Sequence, residues 1–450
     1  MTMQPGIVRV VVLNFNGGDD TIRCFDHLAA TRWPTEQLQL ICVDNGSTDG
    51  SIERLREAHP GVEVRAQVRN TGFPANNLAL RDLDQVRYVA LINNDAFVEP
   101  EWLAPLVDTL DDDPGLGAAC PKLLLAARFA EIHIKAPVLI SEGAGGRELS
   151  IQIRGCAVDG VDVWRDLHVA SGGWGREAST LGTFEWIGPD STVRIPIPAS
   201  DGLRNGGRGG ATVALRIDAV QACEIVIDGT PMSIRSGAST VVFSAPTALV
   251  DVVNNVGSLV FSDGCGADRG WLERDLGQFD EPIEVFAWCG GGVLLRPAYL
   301  ADVGLFDESF FLYYEDTDLS WRGQARGWRY RTAPASVIRH VHAASSGEGS
   351  EVFAFHVERN RLLMLVKNAP ARTAIRQSLL HLRATASYFR RDVLRPPLRR
   401  QRPRVTIVRR RINSYLGFLR MLPATLVERR VLRARRLVAD RRLDPWFVQR

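Results

Sequence analysis

Lysine is nearly missing from this chain. Only Lys122, Lys135 and Lys367 occur among 450 residues, so arginine carries almost all of the positive charge. Cysteine is sparse and scattered: seven residues, at 24, 42, 120, 156, 223, 265 and 289, with no CxxC pair. That spacing argues against a zinc ribbon and against a secreted disulfide framework, and it fits a reduced, cytoplasmic setting. No apolar run approaches the roughly 18 residues of a membrane-crossing helix. The start, MTMQPGIVRVVVLNF, has no basic stretch ahead of a long apolar core, so no signal peptide is expected. There is no internal repeat and no long low-complexity tract.

What is present is ordinary globular composition, 45% hydrophobic and 24% charged, over enough chain for two or three domains. The formal net charge of +2 hides a split. From Pro370 onward there are 22 arginines against four acids, Asp392, Glu428, Asp440 and Asp444. The tail is therefore near +18 and the preceding chain near −16.

The first third alternates strand and helix. IVRVVVLNF (7–15), LQLICVD (38–44), VEVRAQV (62–68) and RYVALIN (87–93) read as strands, the first a near-continuous apolar run of the kind buried on both faces. Helical patterns lie between them, as at Ile22, Phe25, Leu28 and Ala29. Strands separated by helices predict a parallel α/β sheet, whose ligands sit at the carboxyl ends of the strands. Asn14, Asn16, Asp44, Arg69, Asn70 and Asp95 all fall at such ends. Turn and cap preferences of Asn and Asp also account for several of them.

From about 131 to 250 the character changes. LSIQIRG, ATVALRIDAV, CEIVIDG and STVVFSA are short alternating stretches between turn signals, which predicts an inserted antiparallel β-sandwich. The α/β character returns with VFAWCGGGVLLRPAYLADVG. The last part is helical, Arg-rich and interrupted by Pro396, Pro397, Pro403 and Pro423. The boundaries read as 1–130, 131–250, 251–350 and 351–450.

Several motifs occur in one order: VVVLNFNGGDDTIRCFDHL, ICVDNGSTDGSIERL, RNTGFPANNLAL, LINNDAFVEPEWL, GGGVLLRPAYLADVGLFDESFFLYYEDTDLSWRGQARGW and APASVIRHVHAASSG. Together they resemble the family 2 glycosyltransferases with the GT-A fold, in the rhamnosyltransferase-like and galactofuranosyltransferase-like branch. The resemblance covers about 1–125 and 250–370. It implies a Rossmann-like nucleotide-diphospho-sugar transferase domain split by the insert and followed by the basic helical tail.

The resemblance also implies roles. Asp44 would seat the base and ribose of a nucleotide-sugar donor, with Asn14, Asn16, Arg69, Asn70 and Asn94 beside it. The family's Asp-x-Asp pattern, which holds a divalent metal, is here Asn93-Asn94-Asp95, with one carboxylate left. His340 or His342 would complete the site, and an imidazole favours Mn²⁺ somewhat over Mg²⁺. Asp316 would take the proton of the acceptor hydroxyl, within an acidic group that includes Glu315 and Asp318. Trp321 and Arg322 would shape the acceptor pocket, and Gly291 and Gly292 would permit close approach of a sugar. Clustered acids also suit a helix N-terminus on their own.

The expected function is an inverting transfer from a dTDP-rhamnose-type or UDP-galactofuranose-type donor to a lipid-linked cell-envelope glycan. A catalytically degenerate glycan-binding or scaffold protein is the alternative, supported by the departure at 93–95. Leu379, Leu380, Leu382 and Phe389 among arginines, then INSYLGFLRML, suit an anionic membrane surface, placing the protein peripherally at the inner face of the cell membrane. Such binding is expected to release in high salt. A plain solvated face is the other reading of that charge. No nucleic-acid-binding module accompanies it, and an oligomer stays open.

Overall fold

The apolar runs of the first third are strands buried from both sides. β1 (Ile7–Asn14), β2 (Leu38–Asp44), β3 (Glu63–Ala66) and β4 (Val86–Asn93) run parallel in the order β4-β1-β2-β3. Successive side chains alternate between two cores because a strand repeats every two residues. Val8, Val10 and Val12 join Cys42, Tyr88, Ala90 and Ile92 in one cluster, under Phe25 and Leu28 of α1 (Gly18–Ala29) and Leu55 of α2 (Ser51–Ala58). Val11, Ile41, Val43, Val89 and Leu91 face the other, which holds Phe73, Trp288 and Tyr299. The third strand is shorter than the predicted 62–68 because it lies at the sheet edge, where half its residues meet water.

The computed structural model describes residues 6–143, 146–179, 182–198, 210–341, 350–398 and 400–449. It divides into two compact units. The first contains Met1–Ala126, Val253–Trp271 and Leu276–Arg450. Its sheet extends past β4 through Gly292–Leu295, β6 (Leu116–Leu125), Arg329–His340 and Glu284–Val285. Gly292–Leu295 runs antiparallel to β4, and Arg329–His340 runs parallel to β6. The short β5 (Ala96–Val98) pairs with the end of Arg329–His340, setting His340 opposite Ala96.

Three long helices complete this unit: Glu351–Asn368, Ala371–Phe389 and Thr406–Arg435. The last continues through Pro423, where the sequence predicts an interruption. Buried Phe418 and Thr425 hold the helix on both sides of the proline, so packing offsets the lost hydrogen bond.

The second unit, Ala127–Val252 with Leu272–Asp275, consists of antiparallel strands. Alternate residues such as Ile132 and Ile134, Ile151 and Ile153, and Val213, Leu215 and Ile217 form its core. Hydrogen bonding links ten of its strands into one sheet rather than two separate ones. Register shifts at Ile153/Gly155 and along Val169–Arg176 supply bends, as bulges do.

Candidate functional site

The ends of β1, β2 and β4 form one polar edge. Asn14 lies opposite Asp44, and Leu13 lies opposite Asn93. Asn14 is fully buried. Its Nδ2 donates to Ser47 Oγ and Ser51 Oγ, both at 3.0 Å. Its Oδ1 accepts from Thr21 Oγ1 at 2.7 Å and from Asn94 Nδ2 at 3.2 Å. Asn14 and Asn94 thus tie the first helices to the strand ends. Asn16 takes the left-handed conformation, φ 52°, which asparagine tolerates, and accepts from Thr48 N at 2.8 Å. Asp44 is buried and accepts from Ser47 N at 3.2 Å.

The loop carrying Arg69 and Asn70 is held by a residue that the sequence alone does not single out. Asn45 donates to Asn70 Oδ1 at 2.8 Å and to Gly72 O at 3.0 Å, and accepts from Thr71 N at 2.9 Å. Arg69 itself is exposed. Gly72 has φ +79°, and a Cβ there would sit 1.9 Å from Phe311 O, so only glycine fits.

Asp95 follows β4, and His340 ends the long strand Arg329–His340. Their Oδ1 and Nε2 atoms are 3.1 Å apart and buried. The other ring nitrogen, Nδ1, lies 3.0 Å from Asn254 Oδ1. Each ring nitrogen therefore faces an oxygen, Asn254 Oδ1 on one side and Asp95 Oδ1 on the other, and Asn254 is placed to orient the ring if Nε2 serves a cation. Asn254 was not legible as a site residue. Nor was Asp20, in the first turn of α1, whose carboxyl is pushed up by burial and by the charge of Asp95. Among the described residues no group of three or more His, Cys, Asp or Glu side chains surrounds a common point. His342 lies outside the described residues.

The acidic helix Glu315–Arg326 splits its carboxylates among different tasks. Asp316 Oδ2 accepts from Gly290 N at 3.2 Å, and Oδ1 accepts from Thr317 N at 2.5 Å. Burial raises its pKa, these hydrogen bonds oppose the rise, and the charge of Asp268 adds to it. Gly291 O, one residue on, accepts from Asn93 N at 3.3 Å. Two backbone contacts therefore connect Asp316 to the strand end that carries Asp95. Glu315 is buried and pushed well up, first by burial and then by Asp316, and its Oε2 has no hydrogen-bond partner among the described residues.

Asp318 turns the other way. It is fully buried and accepts from Arg322 Nε at 2.9 Å, Lys367 Nζ at 3.0 Å and Asn368 Nδ2 at 2.8 Å. Arg322 also donates to Val303 O and Leu305 O. Asp318 and Arg322 are thus occupied within the protein interior. Asp318→Ala would leave two buried cations without their shared carboxylate, and we expect a loss of about 3–5 kcal/mol in denaturant unfolding. Trp321 is buried against Phe286 and Phe447, with ring centroids at 5.5 and 5.0 Å. Gly292 is packed in the sheet, where a Cβ would meet Ile338 and Leu123 at 3.1 Å, while a Cβ at Gly291 would make only ordinary contact with His340, at 3.5 Å.

The segment before the acidic helix is strained. Phe311, Tyr313 and Tyr314 all have positive φ, 63°, 68° and 71°. Buried Asn360, on helix Glu351–Asn368, holds it by donating Nδ2 to Phe310 O at 2.7 Å, Tyr313 O at 2.8 Å and Leu312 O at 2.9 Å.

The family model described as "Glycosyl transferase family 2" matches residues 9–122, which therefore carry a domain of that family. An N-acetylglucosaminyl-diphospho-decaprenol L-rhamnosyltransferase of Mycobacterium tuberculosis is 33% identical over 132 residues, 28% of this chain and 41% of that one. A poly(ribitol-phosphate) beta-glucosyltransferase of Bacillus spizizenii is 28% identical over 101 residues, 21% of this chain and 16% of that one. The chain thus spans less than half the length of either relative. A mannosyltransferase from Pyrobaculum calidifontis, solved with GDP-Man and Mn²⁺, aligns with a TM-score of 0.38 and 13% identity over 96% of this chain and 75% of that one.

Proposed function

We propose that the protein is an inverting, metal-dependent glycosyltransferase of GT-A type, moving a sugar from a nucleotide-diphosphate donor to a hydroxyl of a lipid-linked cell-envelope glycan. The observation that carries this reading is the short hydrogen-bonded path joining Asp95 and His340 to Asp316 at one sheet edge. Asp44, the Asn14–Asn16 turn and the Arg69–Asn70 loop line the donor side. Asp95 and His340, whose Oδ1 and Nε2 atoms lie 3.1 Å apart, would hold a divalent cation. When bound, the cation would neutralise charge on the leaving diphosphate. Asp316, unprotonated, would take the proton of the acceptor hydroxyl as its oxygen bonds to the anomeric carbon. The bond from that carbon to the diphosphate breaks in the same displacement, on the opposite face, so configuration inverts. Asp318 and Arg322 support the helix rather than the chemistry.

A dTDP-rhamnose-type or UDP-galactofuranose-type donor is favoured by the motif resemblance. A lipid-linked acceptor would bring the enzyme to the inner face of the cell membrane. No helix among the described residues is long and apolar enough to cross it.

Nucleotide sugars screened by thermal shift, with and without Mn²⁺, test this reading. A true donor at 100 times its Kd adds about 2.7 kcal/mol of stability. We expect one class of nucleotide sugar to raise the Tm, and to do so only with Mn²⁺. If no donor shifts the Tm under either condition, the degenerate glycan-binding reading gains the ground.

A further inference from the structure

Helices Ala371–Phe389 and Thr406–Arg435 each present an apolar row to solvent. On the first, Ile375, Leu379 and Leu382 are 61%, 61% and 42% exposed. On the second, Ile412, Leu416 and Leu419 are 45%, 57% and 42% exposed. The two rows share the same spacing, four residues and then three, which keeps each on one helix face.

Both rows turn away from helix Glu351–Asn368. The first helix turns buried Ala374, Gln377 and His381 inward, and Arg361 of helix Glu351–Asn368 reaches Gln377 at 3.4 Å. The second turns buried Ser414, Phe418 and Thr425 inward, and Ser414 donates to Glu358 of the same helix at 2.8 Å. Each apolar row lies roughly opposite these inward residues by the 3.6-residue period, and on the second helix the row is exposed from Ile412 onward, one turn after buried Val408. The two helices are also joined to each other: Arg411 Nε donates to Thr385 Oγ1 at 3.0 Å, and the His381 and Tyr415 rings stack at 5.5 Å. The result is one face built of two rows.

Arginines flank both rows. Arg372, Arg376 and Arg383 form a parallel row beside the first, and Arg409 and Arg420 stand beside the second; all five are exposed. A shallow groove of about 460 Å³ is lined by Arg372, Ile375, Arg376, Leu379, Leu380 and Arg383. Apolar side chains bordered by cations match the boundary between acyl chains and anionic headgroups, where arginines lie flat and keep their charge in water. A second copy of the chain fits poorly, because two-fold pairing of this face would set arginine rows against arginine rows.

We infer that these two helices form a monotopic docking face for an anionic lipid bilayer, with the apolar rows seated below the headgroups and the arginines among the lipid phosphates. The inference deepens the proposed action on a lipid-linked acceptor but does not depend on it, since the binding measured below involves no sugar transfer. It also changes the salt behaviour expected from charge alone. At 1 M salt the Debye length is about 3 Å, which silences the arginines but not the apolar rows.

Sedimentation of the full chain with vesicles of phosphatidylcholine, with and without phosphatidylglycerol, tests the inference. The protein should pellet with the anionic vesicles and remain largely bound when salt is raised to 1 M after binding. Leu379→Glu with Leu416→Glu removes two exposed apolar contacts and adds two repelled charges. Each added charge is repelled by an anionic surface and each leucine contact is lost, so the double variant should partition at least about 100-fold more weakly. Both positions are more than half exposed, and an unchanged Tm would confirm that the variant folds. Leu379→Ser with Leu416→Ser, which adds no charge, should fall between the two. Variants that partition like the wild type would overturn the inference, as would a wild type that ignores anionic vesicles at every salt concentration. So would a lipid-free wild-type dimer that the double variant dissolves, because the face would then serve a second copy.

Discussion

Asp316→Asn is expected to bind the nucleotide-sugar donor as tightly as the wild type and to transfer the sugar at least about 100-fold more slowly. The amide keeps the size of the carboxyl but takes no proton, and a positioned base contributes about 10²–10⁴-fold to such a step. The amide has one acceptor oxygen for the two backbone donors, Gly290 N and Thr317 N, so an unchanged Tm and unchanged donor affinity are the controls that the surrounding turn holds. The pH dependence sharpens the test. Burial keeps the Asp316 proton on to higher pH than an ordinary aspartate would, despite the opposing hydrogen bonds from Gly290 and Thr317. A base works only when unprotonated, so the wild-type rate should fall as pH drops through this raised pKa. The acid limb then lies above the usual aspartate range. The residual activity of Asp316→Asn should lack that limb. Equal turnover by the variant, or an unchanged acid limb, would remove Asp316 from the chemistry.

Asp95→Ala is expected to reduce donor affinity in Mn²⁺ to the value measured without metal. Asp95 is the one carboxylate of the proposed pair, and an imidazole alone holds a hard divalent cation poorly among oxygen ligands. Titration calorimetry of donor binding with Mn²⁺ or with EDTA reads the difference directly. Asn254→Ala is the informative companion. It leaves both proposed ligands in place and removes the acceptor that orients the His340 ring. Loss of such an orienting partner typically costs 10–100-fold in metal affinity. An Asp95→Ala protein that keeps its metal-dependent affinity would make the Asn-Asn-Asp sequence a plain turn.

The sheet and its polar edge were legible because both depend on local pattern. Strand burial on two faces leaves continuous apolar runs, and strand ends are marked by Asn and Asp. The contacts that complete the site were not legible, because they join distant parts of the chain. Asn254 meets His340 across 86 residues, and Asn360 meets Phe310 across 50. Nothing near either asparagine distinguishes it from a surface residue. The pairing of Asp318 with Arg322 did leave a signal, four residues apart on a helix, which favours an ion pair over a free carboxylate. In the second unit, alternation predicted antiparallel strands but says nothing about how they close. The single ten-stranded connection rests on local register shifts that composition does not encode.

The three carbonyls gathered by Asn360 bear on how the chain can be divided. Asn360 belongs to a helix whose neighbours are the basic tail: Arg433 donates to Ala369 O at 2.6 Å, Arg429 to the same oxygen at 2.8 Å, and Ser414 to Glu358. The same helix supplies Lys367 and Asn368 to Asp318. The tail is therefore not a detachable module. Cutting near Pro370 would expose the face of helix Glu351–Asn368 that the tail covers, and it would loosen the hold on the left-handed turns just before Asp316. Recombination, whether in a genome or at the bench, would have to carry the turn at Phe310–Tyr314, the acidic helix and everything from Glu351 onward as a single inherited block.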